Sequence, residues 1–286
     1  MYRAFGTRFV RGYRLTWTSG FPTMKKKTIL FLLLVFIIGC ATVPITGRKQ
    51  FNLLPESELM SMSLTQYRQF LDSMPPVPAS DANAQMVKRI GERLAASATE
   101  FLNANGAGDR VAGFNWEFNL VKDNTVNAWC MPGGKVVVYT GILPVTKDET
   151  GLALVMGHEI AHAIARHGNE RMSQSVAIQG IGLAAMASTK PSLTRDLLLQ
   201  SFGIGSQLGM LAYSRSHESE ADKMGLVFMA MAGYDPRGAP EFWKRMAAQG
   251  GPKPPELLST HPNDEKRVAD LEAYMPEAMK YYKPRP

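Results

Sequence analysis

The segment GHEIAHAIARHG, residues 157–168, constrains the fold more than any other stretch of this 286-residue chain. On an α-helix His158 and His162, four residues apart, project their imidazoles from one face. Apolar residues cover much of the circumference of the same helix, which is typical of a buried helix; they are Leu152, Leu154, Val155, Ile160 and Ile164. The rest of the fold must therefore surround a helix that carries two imidazoles.

Two interpretations fit this helix. His-Glu-x-x-His is a zinc-hydrolase pattern, in which His158 and His162 bind Zn²⁺ at about 2.0–2.1 Å. Glu159 would then take a proton from a metal-bound water. Alternatively, the two histidines make structural hydrogen bonds in a buried helix. The pattern alone does not decide, so a zinc site needs a third ligand, a substrate-binding surface and a suitable compartment.

A third histidine ligand of the extended pattern His-Glu-x-x-His-x-x-Gly-x-x-His is excluded. That pattern requires glycine at 165 and histidine at 168, where the chain has Ala165 and Gly168. His167 is half a helical turn out of phase with His158, and we expect it to point away from the site.

The segment SHESEAD offers carboxylates instead. Glu218 and Asp222 are four residues apart and share a helical face. That face suits one carboxylate that binds the metal and another that orients a ligand histidine. We predict Glu218 as the zinc ligand and Asp222 as the orienting partner. The alternative is an exposed charged face, which is what we expect for Glu220.

The first 39 residues are predicted to be a targeting segment. They hold seven of the 32 basic residues and no acidic one, which leaves 25 basic and 25 acidic residues in the remainder. Three lysines after Met24, a possible start, precede an apolar run at 29–38 that suits a signal peptide and is short for a membrane span. An uncleaved N-terminal anchor is the alternative. The neutral remainder offers no basic patch for nucleic acid.

The motif IIGC at 37–40 resembles a lipobox, which implies that Cys40 bears the lipid in the mature protein. Ala41 after the cysteine favours the outer membrane, with the protein facing the periplasm of the cell envelope. Cys130 would then have no cysteine partner, so the fold must be stable without a disulfide. We expect Cys130 to be a small buried hydrophobic residue.

Capping residues and periodicity predict the helices. A first helix runs from about residue 57 to 72, and Ser80 caps a second. Thr146 and Glu149 form a capping box at the start of the His-Glu-x-x-His helix, and Gly168 ends that helix.

Later in the chain, two helical stretches at 171–212 that are rich in Ala, Gly and Ser are expected to be lid or packing helices rather than a membrane hairpin. A helix through SHESEAD ends at Gly233, and two further helices follow. Aromatic alternation in FNWEFNLV predicts a half-buried strand, and NAWCMPGGKVVVYTGIL predicts a hairpin. The expected fold is mainly α (α+β), a helical core with a small β-sheet edge next to the His-Glu-x-x-His helix.

Five motifs, which in chain order are NAWCMPGG, HEIAH, YSR with ESEAD, AGYDP and HPNDEKR, resemble the HtpX/BepA/LoiP family of zinc metallopeptidases. These are relatives of the CAAX prenyl protease of the endoplasmic reticulum. The resemblance covers about residues 44–275. CATVPITGRKQFNLL is similar to the lipoprotein branch, and the lack of repeats after residue 270 makes the chain most like LoiP. The resemblance implies one Zn²⁺ per chain and protein or peptide substrates.

The resemblance also implies roles for further residues. NAWCMPGG, with Asn127, Ala128, Gly133 and Gly134, would be an edge strand that pairs with an extended substrate backbone; a plain packing hairpin is the alternative. In HPNDEKR, His261 would stabilise the oxyanion or plug the fourth zinc position, and Arg267 would pair with the ligand glutamate.

We therefore predict three regions: a targeting segment at 1–39, a lipidated N-terminus with the first helix at 40–80, and a zinc metallopeptidase domain at 81–286. The expected activity is that of an endopeptidase that cleaves misfolded or misassembled envelope proteins, attached to the membrane through the lipid. A chaperone or assembly factor that retains a plugged zinc site is the alternative. The presence of Glu159 argues against it, and the edge strand argues against a zinc hydrolase of non-peptide substrates.

Overall fold

The computed structural model describes residues 40–178, 214–248, 255–261 and 266–284. The predicted targeting segment and most of the predicted helices at 171–212 lie outside these ranges. Within the described ranges, no helix has both the length and the apolar character needed to cross a membrane.

All five described strands lie in the first half of the chain, and the described elements of the second half are helices. The first half contains β1 (Cys40–Thr42), β2 (Lys49–Phe51), α1 (Glu56–Ser73), α2 (Ala82–Ala104), β3 (Glu117–Val121), β4 (Ala128–Met131) and β5 (Lys135–Tyr139). The second half contains α3 (Leu143–Thr146), α4 (Glu149–Ile164), α5 (His167–Ile178), α6 (Arg215–Met231), α7 (Ala239–Ala248), α8 (Glu256–Thr260) and α9 (Arg267–Met279). The prediction of a mainly α protein with a small sheet is confirmed.

Helix α4, which carries the His-Glu-x-x-His pattern, lies at the centre of the core. Every residue from 151 to 164 is buried. Its neighbours are α6, α2 and strand β4. Because apolar side chains surround this helix on all sides, burial of α4 organises the domain.

The predicted strand and hairpin form one sheet with strand order β3-β5-β4. Strand β3 is parallel to β5, and β4 is antiparallel to β5. The hairpin turn needs its two glycines, because Gly133 and Gly134 have φ of 85° and 78°. Strand β4 is thus an edge strand beside α4, as the sequence predicted.

A second, two-stranded sheet joins β1 and β2 in antiparallel register, with Ala41 opposite Gln50. This N-terminal hairpin lies against the end of α4, where the Gln50 amide donates a hydrogen bond to the Ala165 carbonyl. Arg110 supports it from the other side by donating to the Gln50 side chain and to the Thr42 carbonyl.

Two predicted helix starts are wrong in detail. Helix α2 is capped by Asp81 rather than Ser80, because the Asp81 carboxylate accepts hydrogen bonds from the backbone N–H groups of Asn83 and Ala84. The start of α4 is displaced in the same way, since Asp148 accepts from the N–H of Gly151.

The predicted capping box of Thr146 and Glu149 is therefore wrong. Thr146 belongs to the short helix α3 and donates its hydroxyl to the Leu143 carbonyl. Lys147, with φ of 69°, separates α3 from α4.

The predicted end of α4 at Gly168 is also wrong. Helix α4 ends at Ile164, and Arg166 turns the chain with φ of 58°. Gly168 instead lies in the first turn of α5. The turn at Arg166 brings His167 back towards α4.

Helices α4 and α6 approach each other most closely where two glycines meet. A Cβ atom added to Gly225 would lie 3.0 Å from the His158 nitrogen and 3.1 Å from the Gly157 carbonyl carbon. Both contacts are with backbone, which cannot rotate away. The glycine pair therefore sets the distance between the two helices.

We predict that Gly225→Ala lowers the free energy of unfolding in urea titrations. Overpacking against backbone costs about 1–3 kcal/mol, and roughly 1 kcal/mol of improved helix propensity offsets only part of it. Gly238→Ala is the control, because no described atom lies within 4 Å of its added Cβ; its effect should stay within about 0.5 kcal/mol. An unchanged or higher value for Gly225→Ala would contradict the prediction.

Candidate metal centre

Four side chains bring one possible ligand atom each to a common point. They are His158 and His162 from α4, Glu218 from α6 and His261 directly after α8, and their ligand atoms all lie within 4.8 Å of one another. All four residues are buried. The structure therefore brings together the three zinc ligands predicted from the sequence and the predicted His261.

The distances between these atoms fit a single small cation. The Nε2 atoms of His158 and His162 are 3.0 Å apart, and the Glu218 carboxylate lies 3.3 Å from each of them. The Nδ1 atom of His261 is 3.2 Å from His158 Nε2 and 3.0 Å from Glu218 Oε1. Ligands at 2.0–2.1 Å on the corners of a tetrahedron would be about 3.4 Å apart.

The proton positions point to the same conclusion. His158 Nδ1 lies 2.9 Å from the Asp222 carboxylate and donates its proton there, so Nε2 is the nitrogen left to bind a metal. Glu218 Oε2 is buried, forms an ion pair with Arg267 Nη1 at 3.1 Å and accepts no hydrogen bond from the described part of the chain. Lone pairs that converge in a buried site require a cation, and a set of imidazole and carboxylate donors suits Zn²⁺.

The electrostatics of the two imidazoles differ. Burial lowers the pKa of His158, but Glu218 and Asp222 outweigh burial and raise it to about 9. Burial holds the pKa of His162 well below its usual value. His162 is therefore neutral, whereas His158 lies in a negative environment that favours a bound positive charge.

Asp222 and Arg267 lie where the sequence predicted them. Arg267 donates to both oxygens of Asp222, at 2.8 and 2.7 Å, and its Nη1 is 3.1 Å from Glu218 Oε2. The guanidinium of Arg267 lies 3.3 Å from the ring centre of Trp243. Burial alone would raise the pKa of Asp222, but Arg267 and His158 keep it below its usual value.

Glu159 lies beside the four ligand atoms. Its Oε1 atom is 3.5 Å from His261 Nε2 and has no hydrogen-bond partner among the described residues. Burial raises the pKa of Glu159 above its usual value, which brings a carboxylate closer to the range of an effective proton acceptor.

Cys130 on β4 is buried close to Glu159, as expected of a small hydrophobic residue. Burial raises the pKa of its thiol, and the Glu159 charge raises it further. Strand β4 packs against α4, the helix that carries Glu159.

Two residues that the sequence analysis set aside belong to the surroundings of the site. His167 does not point away, because its Nδ1 is 2.9 Å from Nδ1 of His162. Glu220 is not on an exposed face: it is 3% exposed, and its Oε2 lies 2.9 Å from His167 Nε2. Arg48 and Thr46 of the N-terminal hairpin also bind Glu220.

One sequence signal could have corrected the expectation for Glu220. The residues that follow it, MGLVFMAM, are apolar on all sides of the helix. Such a helix is buried all round, and a buried carboxylate needs partners. The expectation for His167 failed for another reason, since the turn at Arg166 interrupts the helical phase on which it was based.

The predicted substrate strand is buried rather than open. Ala128 is 1% exposed, and the other residues of β4 are also buried. Asn127 precedes the strand, and its side chain accepts a hydrogen bond from the Ala128 N–H. Just before it, the Val126 carbonyl accepts from the N–H of Leu257 in α8. The start of β4 is therefore tied to the helix that leads into His261.

We predict that Glu218→Gln reduces the zinc content of the purified protein, measured by inductively coupled plasma mass spectrometry. Loss of the carboxylate charge should weaken zinc binding by at least about tenfold. Even mutation of a residue that contacts only a ligand side chain costs about this much metal affinity. Glu241→Gln, at an exposed position on α7, is the matched control. Equal zinc stoichiometry in the two variants would remove Glu218 from the ligand set.

Comparison with known proteins gives one family. The model of peptidase family M48 matches residues 81–275, a range that contains all four ligand candidates. Among the relatives, the mitochondrial metalloendopeptidase OMA1 of Schizosaccharomyces pombe is 36% identical over 242 residues, 82% of this chain and 66% of that protein.

Two other relatives come from a mammal and a bacterium. Metalloendopeptidase OMA1 of Homo sapiens is 32% identical over 248 residues, 83% of this chain and 46% of the relative. The β-barrel assembly-enhancing protease of Escherichia coli is 28% identical over 269 residues, 87% of this chain and 52% of the relative. The chain thus spans about half to two thirds of the length of these three relatives.

Proposed function

Because the chain belongs to peptidase family M48, we propose that it is a zinc-dependent endopeptidase. The observation that carries this proposal is the convergence of two imidazoles and a carboxylate next to the buried Glu159. His158, His162 and Glu218 would hold one Zn²⁺ per chain. When bound, the ion would lower the pKa of a water molecule and polarise the scissile carbonyl.

The remaining chemistry belongs to side chains of the protein. Glu159 accepts a proton from the attacking water and delivers it to the leaving amine. Its burial supports this role, since a raised pKa makes the carboxylate able both to take and to release the proton. Asp222 holds His158 in place through a hydrogen bond, and Arg267 holds Asp222 through hydrogen bonds and Glu218 through an ion pair.

We further propose that the arrangement described is the resting one. His261 Nδ1 stands among the three ligand atoms, in the place that a water or a substrate carbonyl would need. Strand β4, the proposed binding strand for substrate backbone, is buried. A protein substrate must therefore displace His261, which could then stabilise the oxyanion with its freed imidazole.

The hydrogen bond from Leu257 to the Val126 carbonyl supports a link between these two changes. A substrate peptide would pair with β4 between Asn127 at its start and the Gly133–Gly134 turn at its end. At the start of the strand this pairing would disturb the contact. Movement of α8 would in turn move His261. Substrate pairing and removal of the plug would then be one event.

Cleavage of misfolded or misassembled envelope proteins is our proposal for the substrates. It is supported by the Escherichia coli relative, which is a β-barrel assembly-enhancing protease. The lipobox-like IIGC supports attachment through a lipid on Cys40, on the periplasmic face of the outer membrane. The family match begins at residue 81, so regions 40–80 and 81–286 would differ in their likeness to the family, although the described residues of both belong to one compact unit.

A non-proteolytic chaperone or assembly factor is the second candidate. The observation in its favour is the position of His261, which fills the site. The retained Glu159 favours the peptidase, because a protein that only binds its clients has no use for a proton acceptor at this point.

We predict that Glu159→Gln abolishes casein cleavage while zinc stays near one per chain. Loss of the proton acceptor should reduce the rate by at least about a hundredfold. Wild-type protein stripped with a chelator should be equally inactive and should recover on addition of zinc. Zinc in both proteins with cleavage in neither would favour the binding role.

We predict that His261→Ala raises the initial rate of casein cleavage severalfold, because the competing imidazole is removed from the site. A fall in rate of about a hundredfold or more would instead assign His261 to oxyanion stabilisation. An unchanged rate would exclude both roles. Zinc content should be measured in parallel, since an altered rate is informative only at equal zinc loading.

A further inference from the structure

All five histidines of the chain lie in one connected network. Three of them surround the proposed zinc position, and two, His167 and His217, lie behind His162. The rings of His167 and His217 are stacked, with centres 4.4 Å apart. The peptidase mechanism proposed above uses neither of these two residues.

The contacts behind His162 form a relay of hydrogen bonds that runs from His162 through His167 and Glu220 to Arg48. His162 Nδ1 is 2.9 Å from His167 Nδ1, and His167 Nε2 is 2.9 Å from Glu220 Oε2. Arg48 donates to the same Glu220 oxygen through Nε at 2.8 Å. The other end of the Arg48 guanidinium binds Glu170, at 2.8 and 2.7 Å.

The proton positions in this relay follow from one requirement. If His162 binds zinc through Nε2, its proton is on Nδ1. That N–H faces His167 Nδ1, which must therefore be the acceptor. The proton of His167 is then on Nε2 and is donated to Glu220. The carboxylate at the end of the relay needs a positive partner in this buried setting, and Arg48 provides it.

We propose that His167 and Glu220 are positioning residues for the zinc-binding imidazole of His162, and that Arg48 completes the relay from the N-terminal hairpin. This inference rests on the proposed zinc site. With this relay, each ligand imidazole has a carboxylate and an arginine behind it. Asp222, itself held by Arg267, contacts His158 directly, whereas Glu220, held by Arg48, acts on His162 through a second imidazole.

The relay assigns a function to the N-terminal hairpin, which precedes the range that the family model matches. Gln50 on β2 donates to the Ala165 carbonyl at the end of α4, next to the turn at Arg166 that places His167. The hairpin therefore fixes both the turn and the charge partner of Glu220. A role in metal binding makes residues 40–51 part of the peptidase unit.

The competing explanation is that the cluster only stabilises the fold. Glu170 provides a matched comparison, because it is 4% exposed against 3% for Glu220 and shares Arg48 with it. Its Oε2 contacts His217 Nε2 at 3.0 Å rather than His167. Replacement of either carboxylate by an amide therefore disturbs Arg48 and the same ion-pair cluster, but only Glu220→Gln removes the carboxylate that accepts the His167 proton.

The first test observes the protons directly. In zinc-loaded wild-type protein labelled with ¹⁵N-histidine, two-bond ¹H–¹⁵N spectra report which nitrogen of each ring carries hydrogen. We expect hydrogen on Nδ1 of His162 and on Nε2 alone of His167. A His167 ring protonated on Nδ1, or on both nitrogens, would overturn the relay even if the protein proves to be an active peptidase.

The second test measures zinc affinity by competition with a chelator of known affinity. Glu220→Gln should weaken zinc binding by about tenfold or more, the range measured for outer-shell partners of ligand histidines, while Glu170→Gln should change it less than about threefold. Equal weakening would identify a purely structural cluster and overturn the proposal. If Glu220→Gln does not fold, the wild-type spectra decide.

The two tests separate this inference from the proposed function. Neither depends on cleavage of a substrate, so an inactive protein that binds zinc with the expected histidine protons would retain the relay. Wild-type protein that binds no zinc would overturn both proposals. Active wild-type protein with Glu220→Gln indistinguishable from Glu170→Gln in affinity would overturn the relay alone.

Discussion

The structure depends on the burial of a helix that carries two imidazoles and a carboxylate into the core. Apolar residues of α4 demand burial on every side, yet an ionisable group is stable in that environment only with a partner. Each neighbouring element of the centre therefore carries a complementary group. Helix α6 supplies carboxylates, α9 supplies Arg267, and the N-terminal hairpin supplies Arg48.

The Gly157–Gly225 contact explains how so many polar groups meet within a few ångströms. Without side chains at these positions, α4 and α6 pack backbone against backbone beside His158. The short distance lets Glu218 reach both ligand imidazoles with its two oxygens. It also leaves the opposite faces of α6 to Asp222 on one side and Glu220 on the other, so that a single helix supports both imidazoles.

Sequence reasoning succeeded where helical spacing alone determines geometry. The pairs His158 and His162, and Glu218 and Asp222, are each four residues apart, so each pair necessarily shares a face. It failed where the position of a side chain depends on a break in the helix or on a distant segment of the chain. His167 depends on the turn at Arg166, and the environment of Glu220 depends on a hairpin more than a hundred residues earlier in the chain. The helix starts failed more locally, since aspartates next to the chosen residues made better caps.

The same packing creates a conflict between binding a metal and acting on a substrate. A site in which His261 completes the set of ligand atoms leaves no position for a scissile carbonyl. His261 is the ligand candidate best suited to leave, because it follows a five-residue helix, whereas His158, His162 and Glu218 lie on the two long central helices. The contact of that short helix with the Val126 carbonyl lies at the start of the strand where substrate backbone would pair. Displacement of His261 thus leaves the two long central helices in place, and the energy for it can come from backbone hydrogen bonds that only an extended chain supplies.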